Sequence, residues 1–591
     1  LGLMPPEDVT VLREAYDYLR RVENALQGMR DEQTHVLPDD ETEQLRLVAL
    51  LGEPQPASFR ATLDAHRAVV ARCFDAVLGE AGASDGKGEQ EGHTEAVLPD
   101  LDGDDAAIAW LGRFGVEAAD ASAASLAEAV LALAGGPFHR RLTARAQGRV
   151  EAILPRLAAA AARTSDPSTA IARGLAFVRA VAGRSGYLQA LADRPAALNR
   201  LVRLFGASEW VATLVTRHPV LLDELIGQSA ATLFTDAGTI REAALAEASR
   251  LADADLERQM EALRQFHQAR ELRIAAAALE GELPPMQASD RLSWLAEAMI
   301  AASLALVRPP LVARYGDTLP ELVVIAYGKL GGLELGFGSD LDLVFLRSDA
   351  GDAEPAARLV RRFVHFMATV TPGGRIHEID LRLRPNGNSG VLVGTLESFA
   401  GYQRQDAWTW EHQALLRSRA VHGPAALTTA FEALRLEILC REREEATLRR
   451  DVASMRERMR TSLGSRGEGV MHLKQDAGGV ADIEFIVQYL ALRHAAEAPS
   501  VVAFADNVRV LEAAGAIGLL AADDVNGLRD DYIELRERLH RRALDGLDAE
   551  VPTDPALDAL RRRVIERRTR LLDPPEAARL SESSAPPEAP A

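Results

Sequence analysis

The sequence predicts a mainly α-helical, multi-domain protein with one α/β unit set between helical blocks. Alanine- and leucine-rich stretches with apolar residues three and four positions apart fill most of the chain. Of the 591 residues 47% are hydrophobic and only 5% aromatic, which suits helix-on-helix cores. Short β-branched runs closed by glycine or proline occur together only between about residues 321 and 385.

A chain of this length suggests three or four domains. Residues 1–78 read as a first helical block, from VLREAYDYLRRVENALQGM and SFRATLDAHRAVVARCFDAVL. Residues 79–104 are Gly-, Asp- and Glu-rich, with too little apolar content for a core, and read as a linker. Residues 105–310 are helical again, with breaks at Gly135-Gly136-Pro137, Thr164 to Pro167 and Leu283-Pro284-Pro285. The α/β unit occupies 311–424, a further helical domain 425–572, and a Pro- and Ser-rich tail 573–591 reads as disordered. The run CREREEATLRRDVASMRERMR reads as a solvated helix laced with i,i+4 ion pairs.

A formal net charge of −20 disfavours a nucleic-acid partner, because affinity for that backbone comes from Lys and Arg neutralising phosphates. Two cysteines, Cys73 and Cys440, are too few and too distant for a disulfide framework or a zinc cluster. No apolar run of membrane length and no leader are read, so a cytoplasmic protein without membrane contact is expected. The start at Leu1, inside a helical pattern, suggests that the natural N-terminus lies upstream.

Within the α/β unit, ELVVIAYGKLGG predicts a first strand from residue 321 and SDLDLVFLRS a second. EPAARLVRRFVHFMATV is a helix by spacing, and GRIHEIDLRLRP a third strand, ended by Pro385. In GFGSDLDLVFL, residues 336–346, the period of two puts Asp340 and Asp342 on one face and Leu341, Leu343 and Phe345 on the other. The third strand would place Ile379, Leu381 and Leu383 on one side and Glu378, Asp380, Arg382 and Arg384 on the other. Side by side, Asp340, Asp342 and Asp380 form a carboxylate cluster that repulsion disfavours unless cations occupy it. Hard divalent ions, Mg²⁺ above all, satisfy such a cluster, usually together with substrate phosphates. Gly338 and Ser339 would cradle an anion closely, and Arg382 and Arg384 could hold phosphate oxygens in a fork. A nucleoside triphosphate with two metal ions is the chemistry implied. The plainer alternatives are solvated edge-strand acids, and for the two arginines ion pairs with the neighbouring acids.

GSDLDL followed by HEIDLRLRP resembles the polymerase-β-type nucleotidyltransferase superfamily. More narrowly, YGKLGGLELGFGSDLDLVFL, IDLRLRPNGNSGVLV, QDAWTWEHQALLRSRAV and DAGGVADIEFIVQYLALRH, spread over about residues 321–494, together resemble the glutamine synthetase adenylyltransferase and adenylyl-removing family. That resemblance implies two nucleotidyltransferase domains in a full chain, an N-terminal one removing AMP by phosphorolysis and a C-terminal one attaching it from ATP. The wording here resembles the transferring copy, which makes Asp340 and Asp342 metal ligands and Asp380 the third acid and a candidate base. It also implies ATP as substrate, glutamine synthetase as partner, and control by L-glutamine and the PII signal protein. Other readings are nucleotidyl transfer to RNA or a small-molecule hydroxyl, and a catalytically silent module that docks glutamine synthetase or PII.

Further features fall outside the acid cluster. Trp408, Trp410 and His412 read first as a core helix anchored by two tryptophans, second as a base-stacking platform. Asp482 and Glu484 either serve a helix N-terminus or, in company with Lys474 and Asp476, face the nucleotide site. LREAYDYLR (12–20) and LRDDYIELR (528–536) share five of nine positions. The match suggests a repeat in which residues 1–78 end a removing half whose catalytic sheet is missing.

Overall fold

The structure, a computed structural model, describes residues 6–573 apart from 31–36, 39, 80–97, 100, 185, 227–235, 372, 466 and 468. Most of the expected linker and nearly all of the expected tail lie outside these residues. The chain divides into two units, Leu1–Ala96 and Val97–Ala591.

In the first unit the helices Pro6–Arg30, Glu41–Leu51 and Pro56–Gly79 bury Tyr18, Val22, Leu26, Leu47, Phe59 and Leu63. Asp40 caps the second helix by accepting from the Glu43 amide. Tyr16 is 60% exposed, whereas Tyr532, its counterpart in the nine-residue match, is fully buried.

In the second unit, helices from Asp104 to Tyr315 precede a sheet of β1 (Leu322–Ala326), β2 (Leu341–Arg347), β3 (Ile379–Asp380), β4 (Val393–Thr395) and β5 (Arg419–His422). The order is β3-β2-β1-β5, with β4 also on β2. β1 runs antiparallel to β2 and β5, while β2 runs parallel to β3 and β4. Both faces are buried, and strand alternation assigns residues to two separate cores. Leu322, Val324, Leu341, Leu343 and Phe345 join the core of the preceding helices. Val323, Ile325, Val344 and Leu346 join the core of the helices that follow. Asp342 belongs to this second face, which turns it toward the C-terminal helices. The expected helix between the second and third strands is Ala353–Ala368, burying Leu359, Phe363, Phe366 and Met367, with Phe363 edge-on to Phe345.

Several expectations change. The third strand pairs over only two residues, because the Arg384 guanidinium donates to the carbonyls of Leu381 (2.7 Å) and Asn388 (3.2 Å) and so folds 381–390 into turns. Its alternation therefore does not carry Arg382 and Arg384 onto the face of Asp380. β4, β5 and a two-stranded ribbon, Val470–His472 with Glu550–Pro552, were not read from the sequence. A stretch of membrane length does exist: Pro285–Tyr315 is apolar and long enough to cross a bilayer. Its first helix, Pro285–Val307, lies instead in the protein core, carrying fully buried Ser289, Ser293 and Ser303 among its apolar residues. The charged helix Glu445–Leu463 has the expected Glu445–Arg449 pair, yet Arg456 on its inner face is 1% exposed and donates to buried Asp482 at 2.7 Å.

The join between the sheet and the C-terminal helices is polar and buried. Arg417, just before β5, pairs with both Glu334, which is fully buried, and Glu484 of the helix Val480–His494. Glu334 also accepts from the Asn507 amide (2.9 Å) and the Tyr532 hydroxyl (2.6 Å). Truncating Arg417 leaves two buried carboxylates without their cation, a change that costs about 3–5 kcal/mol. Arg417→Ala should therefore lower the urea midpoint strongly, while Arg404→Ala, which breaks an exposed pair with Glu437, should cost about 1 kcal/mol or less. Equal, small losses in tryptophan-monitored unfolding would show that the buried network is dispensable.

Candidate active site

The site forms where β1 and β2 meet. β1 ends at Ala326, and the Tyr327 amide donates to the Asp342 carbonyl at 2.9 Å, holding the start of the following turn against β2. Gly328 adopts φ 58°, and a Cβ there would lie 2.3 Å from Asp342 Oδ2. Only glycine permits this approach. The next residue, Lys329, extends its amino group to Ser339 Oγ at 3.1 Å, and that oxygen also accepts from the Gly336 amide at 3.3 Å. Gly338 turns the chain into β2 with φ 67°.

Parallel pairing of β2 and β3 sets Asp342 in register with Asp380. Burial raises the Asp342 carboxyl to about 6, and the neighbouring Asp340 and Asp380 charges push the same way. The three expected acids are thus brought together. Asp380 is held below the usual carboxylate range by Arg382, whose amide and Nε both donate to it at 2.8 Å. Arg382 pairs with Asp380, the plainer alternative read from the sequence, and Arg384 donates to backbone carbonyls. Among the described residues no three His, Cys, Asp or Glu side chains are arranged as they stand to hold a metal.

Two cations from elsewhere in the chain, Lys329 and Lys474, act on Asp342. A cavity of about 210 Å³ beside Ser339 is lined by Lys329, Lys474, Glu484, Arg536 and His540. Burial lowers the Lys329 amino group to about 8, with Lys474 and Arg536 adding to the effect and Asp340 and Glu484 opposing it. Arg536 is 4% exposed and its Nε has no hydrogen-bond partner. A concentration of buried positive charge within an acidic chain is the complement of a polyphosphate. Sequence reasoning missed Lys329, although a lysine between glycines directly after a strand, in YGKLGG, was the available signal.

The remaining candidates separate. Asp482 is fully buried, accepting from Arg456 and from the Gly478 amide at 2.7 Å, and so stabilises its own helix start. Glu484 lines the cavity. Asp476 accepts from Ser465 and the His472 amide, fastening that loop. Trp408 and Trp410 are 70% and 38% exposed, which overturns their reading as core anchors: Trp408 sits at the helix N-cap, outside the packed face.

Gly328→Ala should force the chain out of a left-handed turn and drive Asp342 aside, at a cost of about 1–3 kcal/mol. Gly401→Ala, on an open helix surface with nothing within 4 Å, should be neutral or stabilising. Comparing the thermal midpoints of both variants checks this. An unshifted Gly328→Ala midpoint would contradict it.

Comparison with known proteins follows the same residues. A family model described as glutamate-ammonia ligase adenylyltransferase matches residues 198–434. A second, described as GlnD PII-uridylyltransferase, matches both 1–78 and 446–547, the two segments that share the nine-residue motif. Proteins named bifunctional glutamine synthetase adenylyltransferase/adenylyl-removing enzyme are similar throughout. The one from Thioalkalivibrio sulfidiphilus is 40% identical over 96% of this chain and 61% of its own length. Those from Hahella chejuensis and Pseudomonas aeruginosa are each 38% identical over 95% of this chain and 60% of their own. The chain spans about 60% of the length of these curated relatives. Beside its sheet and its acid cluster, the chain is thus similar over nearly all of its length to proteins named bifunctional glutamine synthetase adenylyltransferase/adenylyl-removing enzyme, and over 198–434 to the glutamate-ammonia ligase adenylyltransferase family model.

Proposed function

We propose that this chain transfers AMP from ATP to a tyrosine hydroxyl of glutamine synthetase, as a Mg²⁺-dependent cytoplasmic enzyme of nitrogen control that answers to L-glutamine and PII. The observation that carries the reading is the register of Asp342 with Asp380 beside a Lys329–Ser339 hydrogen bond. It sets carboxylates and phosphate-binding cations around one point.

The donor set suits hard divalent ions: burial first, and then the Asp340 and Asp380 charges, make Asp342 easier to protonate than a free carboxyl, and a cation among the three would relieve that crowding. Mg²⁺ held by Asp340, Asp342 and Asp380 would polarise the α-phosphate and ease ionisation of the attacking hydroxyl. Ser339, Lys329 and Lys474 would hold the β- and γ-phosphates, with Arg536 behind them. The tyrosine oxygen forms the new bond to the α-phosphorus, the bridging oxygen leaves with pyrophosphate, and the phenolic proton passes to a carboxylate. Asp380, kept ionised by Arg382, would be that acceptor once the guanidinium turns aside.

Asp340→Asn and Asp342→Asn should each lower transfer of labelled AMP from α-labelled ATP by orders of magnitude while leaving the fold intact. Asp342 adds a sign that a purely structural acid would not show. Its raised value means the folded state binds more protons between about pH 4 and 6, so its contribution to stability falls as pH rises through that window. Asp342→Asn without metal should therefore be at least as stable as the parent at pH 7. Near-normal transfer by either variant would defeat the metal-ligand assignment.

This site is assigned to transfer alone. Incubating the chain with adenylylated glutamine synthetase, phosphate and Mg²⁺, without ATP or pyrophosphate, should give no more ADP than the Asp340→Asn control. Excess ADP would mean that the one site performs both reactions.

A further inference from the structure

The helix Leu256–Leu279 belongs to the helical region before the catalytic sheet, yet it reaches both chain segments that deliver the acids. On the β3 side, Arg264 donates to the Thr369 carbonyl (2.8 Å) and Gln268 to the Gly373 carbonyl (2.7 Å). Between them His267 Nε2 meets His377 Nε2 at 3.2 Å, three residues before Asp380. On the β2 side, Glu271, one turn beyond His267, accepts from the Gly338 backbone, and His377 is hydrogen-bonded to the backbone of Ser339. Glu271 and His267 lie 3.7 Å apart. The helix thus touches the turn before Asp340 and the approach to Asp380 through one continuous polar strip.

Such a strip has mechanical work to do. β3 is two residues long, and so short a strand cannot fix the direction of its own carboxylate through ladder hydrogen bonds alone. The Gly338–Ser339 turn is tied within itself by the Gly336 and Ser339 amides, but those bonds do not set its distance from β3. Buried polar groups that nothing in the reaction uses are costly unless hydrogen-bonded, and here each is joined to a loop of the site. Burial drives both imidazoles toward the neutral form, so one ring donates to the other without repulsion.

We infer that Glu271 and the His267–His377 pair are positioning residues: they set the spacing between the Gly338–Ser339 turn and Asp380, and so the geometry in which nucleotide and divalent ions bind. The inference rests on the proposed function for its ligand, but the positioning can be read without ligand. Removing outer groups that orient a metal site typically costs about ten- to hundredfold in affinity. In the full chain, Glu271→Leu and His267→Leu should speed amide hydrogen exchange in peptides covering 336–340 and 376–381. Exchange in the 341–347 strand, the internal control for folding, should stay unchanged. The Kd for Mn²⁺-ATP should rise about tenfold or more in both variants. Glu271→Gln, a neutral group of the same shape that still accepts from Gly338, should restore protection and bring the Kd back near the parent value. Unchanged exchange in both leucine variants would overturn the inference whatever their nucleotide affinity. So would a glutamine variant as impaired as leucine, since that would show that accepting from the Gly338 backbone is not what Glu271 contributes.

Discussion

The buried Arg417 guanidinium, clamped between Glu334 and Glu484, is the interaction on which the arrangement of the site depends. A carboxylate without a partner in such a place costs several kcal/mol, so the two acids and the arginine cannot separate independently. Glu334 further binds Asn507 and Tyr532, while its backbone carbonyl accepts from Arg536. One loop, running from Gly328 through Glu334 to Ser339, is thereby tied to the C-terminal helices, and Leu333 within it is held at φ 54°. Lys329 at one end of that loop and the Ser339 hydroxyl at the other are placed by the network around Glu334 and Arg417.

A second constraint follows from the sheet being buried on both faces. Alternation along β2 sends Leu341, Leu343 and Phe345 into one core and Val344 and Leu346 into the other. Asp342 shares the second face and would be an error there if it only filled space. It is tolerated because Gly328 leaves room for its carboxylate and because Lys329 and Lys474 offset part of its burial. The result is crowded negative charge in a partly buried place. The opposing crowd of cations around Lys329 and Arg536 is the same device with the sign reversed.

What could be read beforehand divides by the range of the forces involved. β1, β2 and the Ala353–Ala368 helix were legible because periodicity and burial there agree. β3 was overextended because Arg384 captures carbonyls of its own loop, which alternation cannot signal. The tryptophans were misjudged for a related reason: an aromatic residue near a helix start is buried only if a neighbour covers that side, and none does at Trp408. The fate of Asp482 turned on Arg456, a cation inside a run that looks uniformly solvated.

The sequence by itself determined the helical and α/β character, the resemblance to the glutamine synthetase adenylyltransferase family, and the three candidate acids, since these rest on local periodicity, on Gly-Ser before paired aspartates, and on ordered motifs that survive without coordinates. Tertiary structure alone decided which cations face the acids. Lys329 and Lys474, which both oppose the raised Asp342 value, come from distant parts of the chain, and Arg382, beside Asp380 in sequence, pairs with it. The physical reason is that charge acts through space: a guanidinium two residues away pairs locally, whereas an amino group far along the chain comes near the acids only where the fold, with buried Arg417 and its partners, brings the loops together.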